Sequence, residues 1–251
     1  MYQTTDFSLP NLTKWHQKKY LAYATQVLES QQQIINDEGA NILHYILKDQ
    51  SKYERLTHYP DGDRIDPISG AQYFYHCHRE NFDTTEHGHF HCFQRYKQIP
   101  KRIKPSPLPD WDLYIENPMT HLIAIGMSQQ GSPIRLFTVN RWVTNEIWYD
   151  AVHAPYFVKR YQMNLKNPYW RIVDKWVEGM IHLFAPQIAW LHQERDRVMQ
   201  AHQANHQWSG QLLNKPHSVP LKSTSEISAT APSEAQERGI TINIEDNIYL
   251  N

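Results

Sequence analysis

Residues 70–93, GAQYFYHCHRENFDTTEHGHFHCF, hold five of the chain's fifteen histidines within sixteen positions, as His76-x-His78 and then His87-x-His89-x-His91. The runs AQYFYHCHR (71–79) and HGHFHCFQRY (87–96) are rich in aromatic residues and lack proline, which predicts two strands. Side chains alternate between the faces of a strand, so each run aims its imidazoles in one direction. Antiparallel pairing with His78 opposite His89 and His76 opposite His91 sets facing Cβ atoms about 4.5–5.5 Å apart. A slip of one residue would turn the two sets to opposite faces. The expectation is that 71–79 and 87–95 are sheet neighbours with their histidines together.

Outward from this pair, Asn11 reads as an N-cap for a helix over about 11–36, with Leu12, Trp15, Tyr20, Tyr23, Val27 and Leu28 on one face and Gly39 at its end. ANILHYILKD (40–49) reads as a shorter helix. The segment 51–69, with YPDGD and DPISG, reads as turn chemistry. After the proline-rich connector RIKPSPLPDWD (102–112), HLIAIGMS (121–128) and PIRLFTVNRWV (133–143) predict a hairpin through QQG (129–131), with EIWYDAVH (146–153) continuing the sheet. Asn167-Pro168 opens a helix whose apolar face carries Ile172, Val173, Trp176, Val177, Met180, Ile181 and Phe184. Pro186 kinks that helix or starts another with Ile188, Leu191 and Val198.

The fold class is therefore α+β: an antiparallel sheet packed by N- and C-terminal helices in one domain, 1–207. Residues 208–251 turn to Ser, Thr, Ala, Pro and Gln and are expected to form a flexible, disordered tail. Within it GITINIEDNIYL (239–250) has the alternation of a short strand or docking peptide. No helix–strand alternation with a Gly-rich phosphate loop is present, which argues against an α/β nucleotide-binding fold.

The 251 residues are 40% hydrophobic, enough for a core, and 25 basic against 26 acidic side chains leave a formal charge of −1. Such a balance offers no net attraction to phosphate backbones or anionic lipid, so neither nucleic acid nor membrane is an expected partner. The two cysteines, Cys77 and Cys92, cannot build a disulfide framework, and a reducing cytoplasm is the expected location. No export signal or eighteen-residue apolar run is seen. Oligomeric state leaves no mark in the sequence.

Clustered imidazoles point to a divalent transition metal, zinc or iron first, because neutral rings crowded on one face each need a partner. The ligand pool is His76, His78, His89 and His91, with His87 and Glu86 next; Cys77 and Cys92 alternate away from the histidines and read as small buried fillers. His121 and His153 could each complete a site from another strand. NRWVTNEIWY (140–149) interleaves Asn140, Arg141 and Glu146 with Trp142 and Trp148, as a ligand pocket does, and as an amphipathic strand also does. Arg79 and Arg141 have the fork for a carboxylate or phosphate. Asp61, Asp63 and Asp66 read as turn residues, and Glu194–Arg197 as a salt-bridged helix face. The leading reading is a metal-dependent enzyme acting on a small molecule; the alternative is a non-catalytic metal- or ligand-binding module.

QYFYHCHR (72–79) and EHGHFHCF (86–93) resemble a family of uncharacterised bacterial proteins with the pattern Gln-Tyr-Tyr-Tyr-His-x-His-Arg, then Glu-His-Gly-His-Phe-His-x-Phe. The likeness extends through THLIAIGM (120–127), GSPIRLFTVNRWVTNEIWYDA (131–151) and ERDR, over roughly Tyr59 to Arg197. It implies a single domain and brings no reaction, fold or cofactor with it.

Overall fold

Among the described residues, the histidine strands pair within a six-stranded antiparallel sheet in which every strand lies beside its neighbour in sequence. The structure is a computed structural model that describes residues 7, 10–47, 54, 57–77, 86–108, 118–139, 141–206 and 238–243. Helix α1 (Lys14–Glu38) is capped by the Thr13 hydroxyl, which accepts from the His16 N–H, and closes at Gly39 in the left-handed conformation. Its buried stripe is Ala24, Val27, Ser30 and Ile34, while Trp15 and Leu28, expected inside, are 66% and 61% exposed. The stripe is set by a close crossing with a later helix, where Val27 lies over Gly179. Asn41 then caps α2 (Ile42–Leu47) by accepting from the Leu43 and His44 N–H groups.

The turn-rich segment before the histidines corrects the sequence reading, because Tyr59–Ile65 is strand β1 at the sheet edge. Between Tyr59 and Arg64 it takes five steps against two on its partner, Tyr75 to Tyr73. An edge strand tolerates Pro and Gly, and this excursion is where YPDGD fits. Next come β2 (Ala71–Cys77), β3 (Glu86–Arg95), β4 (Met119–Ser128) and β5 (Pro133–Val139), the last two joined by the expected tight turn.

Beyond β5 the sheet does not continue into 146–153 as expected. One helical turn, α3 (Arg141–Thr144), ends at Asn145 with φ 49°, and Ile147 donates to the Met119 carbonyl before a 3-10 turn leads into α4 (Ala154–Arg160). The buried Glu146 carboxylate, turned inward onto β4, dictates this path. Helix α5 (Arg171–Leu183) buries the predicted apolar face, and Pro186 lies in the first turn of α6 (Ala185–His206), so it starts a helix. A sixth strand, β6 (Arg238–Asn243), pairs antiparallel with β5, Leu136 opposite Ile242. This is the short strand that the alternation in GITINIEDNIYL allowed within the expected tail; the remainder of 208–251 lies outside the described residues. Among the described residues, no helix is long and apolar enough to cross a membrane.

Helices cover one face of the sheet. Tyr73, Tyr75, Phe90 and Cys92 point into that core, Phe90 against Trp176 at 5.3 Å between ring centroids. Inside it, Asp174 accepts from Arg64 through Nε at 3.1 Å and Nη2 at 2.6 Å, and from the Tyr73 hydroxyl at 2.8 Å. Asp66 caps the turn into β2 by accepting from Ile68, Ser69 and Asn164 N–H groups. Burial alone would raise its carboxyl, but these donors hold it below the usual range.

Candidate metal centre

The other face of the same strands carries the histidines. His76 stands opposite His89, and Phe74 opposite His91. The expected register paired His78 with His89 and His76 with His91, so the observed one is displaced by two residues, which keeps His76, His89 and His91 on one face. Packing on the core side decides this: Tyr75 faces Phe90 and Tyr73 faces the small Cys92.

Two bulges then exchange members of the cluster. From Glu86 to Gly88, β3 takes two steps against one on β4 (Ser128 to Met127). Strict alternation would have kept His87 with His89; instead its Nδ1 meets the Tyr75 hydroxyl at 2.6 Å, and Glu86 takes the histidine face. Gly88 permits this, since a Cβ there would overlap the His76 carbonyl oxygen and the Tyr75 hydroxyl. Further along, β4 takes two steps (Ile123 to His121) against one on β3 (Cys92 to Phe93), which turns His121 toward the histidines.

Among the described residues, His76, His89 and His91 offer ring nitrogens that all lie within 4.8 Å of one another. The Nε2 atoms of His76 and His89 are 2.8 Å apart, and those of His89 and His91 are 3.0 Å apart. A tetrahedral ion with metal–nitrogen bonds of about 2.0–2.1 Å has ligand edges of roughly 3.3 Å, close to these separations. The rings stand nearly perpendicular, at 76° to 88°, and all three residues are buried.

The opposite edges of two rings are held. His89 Nδ1 lies 3.2 Å from Glu86 Oε1, and the second Glu86 oxygen pairs with Arg135. His91 Nδ1 lies 3.0 Å from His121 Nε2. A carboxylate paired with arginine is an acceptor, so His89 Nδ1 carries the proton and Nε2 presents its lone pair to the triad. Phe137 stands edge-on to His89, and Phe74 and Phe93 flank His91. Gly126, opposite His89, leaves room for the Glu86–Arg135 pair, which a Cβ would meet at 2.8 Å.

A family match runs over residues 21–227, most of the chain. The chain belongs to the family "Domain of unknown function (DUF6969)". Every residue of the triad and its supports lies within the DUF6969 match, whereas β6 lies beyond it. No curated protein and no solved structure matches the chain.

The remaining sequence-predicted residues of the DUF6969 domain scatter around this centre. His78, Arg79 and Asn140, and the side chain of Trp142, lie outside the described residues. Glu146 reaches the site only through His121: its Oε2 accepts from the His121 N–H at 2.5 Å and from the Thr120 hydroxyl at 3.1 Å, while Oε1 accepts from Thr144. Burial raises its carboxyl to about 7, against the pull of Arg195 and these donors. Arg141 donates Nε–H to the Glu146 carbonyl, and Trp148 stacks under Arg195, whose guanidinium carbon is 3.8 Å from the ring centroid. His153 packs beside Tyr149 and Phe157. Within Glu194–Arg197 only part of the helix face is solvated: Glu194 and Arg197 pair at the surface, but Arg195 is buried and donates to the Tyr149 carbonyl.

Cys77 and Cys92 are buried and carry no disulfide, and burial raises both thiols. His121, which the sequence offered as a residue that could complete a site from another strand, is brought beside His91 by the second bulge. Burial, then the Arg195 charge, lowers its ring to about 3, so it stays neutral beside His91.

Proposed function

We propose that His76, His89 and His91 bind a divalent transition metal, zinc or iron, through their Nε2 atoms, and that the chain is an enzyme acting on a small molecule at that metal. One observation carries the reading. Nε2 of His89 is a lone-pair nitrogen because its Nδ1–H donates to Glu86, yet it faces two further ring nitrogens at 2.8 and 3.0 Å. One in-plane lone pair suits a single N–H donor, whereas a cation bound by all three nitrogens would satisfy them together. Glu86 and His121 then do what carboxylate and imidazole partners do behind metal-bound histidines: they fix the tautomer and the ring orientation.

Three neutral protein donors leave a position for a fourth group, the arrangement of catalytic rather than structural zinc. A metal there would polarise the group it binds or lower that group's pKa. The free buried cysteines support a reducing, cytoplasmic setting, and the near-zero charge supports a small-molecule partner over nucleic acid or membrane. We read QYFYHCHR and EHGHFHCF as the signature of this bacterial family, since they supply the whole triad.

The test is elemental analysis of untagged full-length protein, paired with melting curves with chelator and with each of zinc, iron, manganese, nickel and copper. One metal per chain and a melting temperature raised by that metal are expected. A chain that copurifies with no metal and is stabilised by none would remove the reading. If a metal binds but admits no exogenous ligand, the non-catalytic module replaces the enzyme.

A further inference from the structure

The segments 95–109 and 151–173 hold nine of the chain's 25 basic side chains and none of its 26 acidic ones, so the rest of the chain is acidic on balance. The fold brings the two segments together at residues 148–150. There the Ser106 N–H donates to the Trp148 carbonyl and the Ser106 hydroxyl donates to Asp150 Oδ1 at 2.6 Å. In the first segment Ile99 and Ile103 turn into the core, which leaves Lys97, Lys101, Arg102 and Lys104 facing solvent. In the second, α4 buries Ala154, Phe157 and Val158 and exposes Lys159 and Arg160 in its last turn.

Tyr156 joins the two sets. The guanidinium carbon of Arg102 lies 5.9 Å from its ring centroid, and that of Arg160 lies 5.8 Å from it. Both forks are thus held against one half-buried aromatic ring while they stay exposed. Among the described residues, neither guanidinium has a hydrogen bond or an ion pair, and the Tyr156 hydroxyl has no partner. Arg64 and Arg195 differ, since Asp174 and Asp196 close them. Asp150, where the two segments meet, is turned to Ser106. Val152, 76% exposed, stands four residues ahead of Tyr156 in the helical run 151–160.

We infer that this surface docks an acidic peptide segment of a partner protein, with carboxylates on Arg102, Arg160 and the Tyr156 hydroxyl and an apolar side chain on Val152. The inference is independent of the metal reading. Two guanidinium forks against one ring repel each other until an anion joins them, and each fork fits a carboxylate through two parallel N–H groups. Tyrosine and arginine are also enriched among the residues that carry most of the binding energy at protein interfaces. A nucleic acid suits the surface less. The acidic balance of the remaining chain repels a long polyphosphate, whereas a short peptide segment meets the basic patch alone.

The experiment titrates the full-length chain into a fluorescein-labelled, glutamate-rich peptide containing leucine and follows the anisotropy at low and at physiological salt. The same peptide with glutamine for glutamate, and a labelled single-stranded oligonucleotide of equal length, are the comparison probes. Saturable binding of the glutamate peptide is expected, weaker as salt rises. Arg102→Gln with Arg160→Gln should weaken it about tenfold at an unchanged melting temperature, because both side chains are exposed. Lysine at both positions keeps the charge without the fork and should recover part of that loss. Tyr156→Phe should weaken binding about twofold. Lys18→Gln with Lys175→Gln removes the same charge from exposed positions on α1 and α5 and should leave affinity within about twofold of wild type. Three results overturn the inference: no saturable binding of the glutamate peptide at low salt, equal losses in the arginine and lysine variants, which would show unspecific attraction, or tighter binding of the oligonucleotide, which would make this a nucleic-acid surface.

Discussion

The two faces of β2 and β3 are built from alternate residues of the same strands, yet they satisfy their polar groups differently. On the helix side, Tyr73 donates to Asp174, which also takes both arms of Arg64, so the network is closed by protein groups alone. On the other side, three imidazoles bring Nε2 atoms together, with Glu86 behind His89 and His121 behind His91. One face is closed by protein groups; the other could hold a cation. The two should therefore respond differently to the same perturbations.

The largest effect is expected on the closed face. Asp174→Ala strands a buried guanidinium and the Tyr73 hydroxyl, and should cost about 3–5 kcal/mol in urea unfolding, equally with and without metal. A metal-dependent loss would show that the faces are coupled through the sheet. His89→Ala should act in reverse: bound metal falls severalfold or more, and the stabilisation by metal, about 2.7 kcal/mol at a hundred times Kd, disappears. A loss of stability that chelator does not alter would make His89 a packing residue.

Acid sharpens the contrast. His121 is held neutral down to about pH 3, while in the unfolded chain it gains a proton near its ordinary value of 6.5. Between those limits the unfolded state binds more protons, so stability falls as pH falls. Metal-free wild type should lose about 2 kcal/mol more than His121→Gln between pH 8 and pH 5. Parallel pH profiles for the two proteins would count against a buried neutral ring.

Glu86→Gln should weaken metal binding about 10–100-fold with stoichiometry intact, because it removes the charge that orients His89 but not a ligand. Loss of the site altogether would promote Glu86 to a ligand. The smallest effect is expected at the sheet edge: a chain ending at Glu237 lacks β6 and should lose about 1–2 kcal/mol, with metal affinity unchanged. Identical melting of the shortened and full chains would leave β6 without a stabilising role.

Much of this was legible before any coordinates. Aromatic, proline-free runs marked β2 and β3, and the alternation placed His76, His89 and His91 on one face. The β4–β5 hairpin and the apolar face of α5 followed from pattern as well. What was missed shares one cause. β1 hides behind Pro, Gly and Asp because its ladder is interrupted by a long excursion. Residues 146–153 look like a strand because their aromatics are buried, but by loop and helix packing. His121 and Glu86 were both named as candidates, but the single extra residues that bring them to the site, and take His87 from it, have no signal in local composition.

The sequence by itself determined which residues could face which way, since a strand alternates side chains with period two and that period is written in the order of the residues. Only the tertiary structure decided the register and the bulges. A two-residue slip costs nothing in alternation, so the choice fell to Tyr73, Tyr75, Phe90 and Cys92 packing under α5. The bulges exist because Gly88 admits a close crossing and because β4 must meet both β3 and the inward Glu146. The chemistry of the histidine face was thus set by packing on the face behind it.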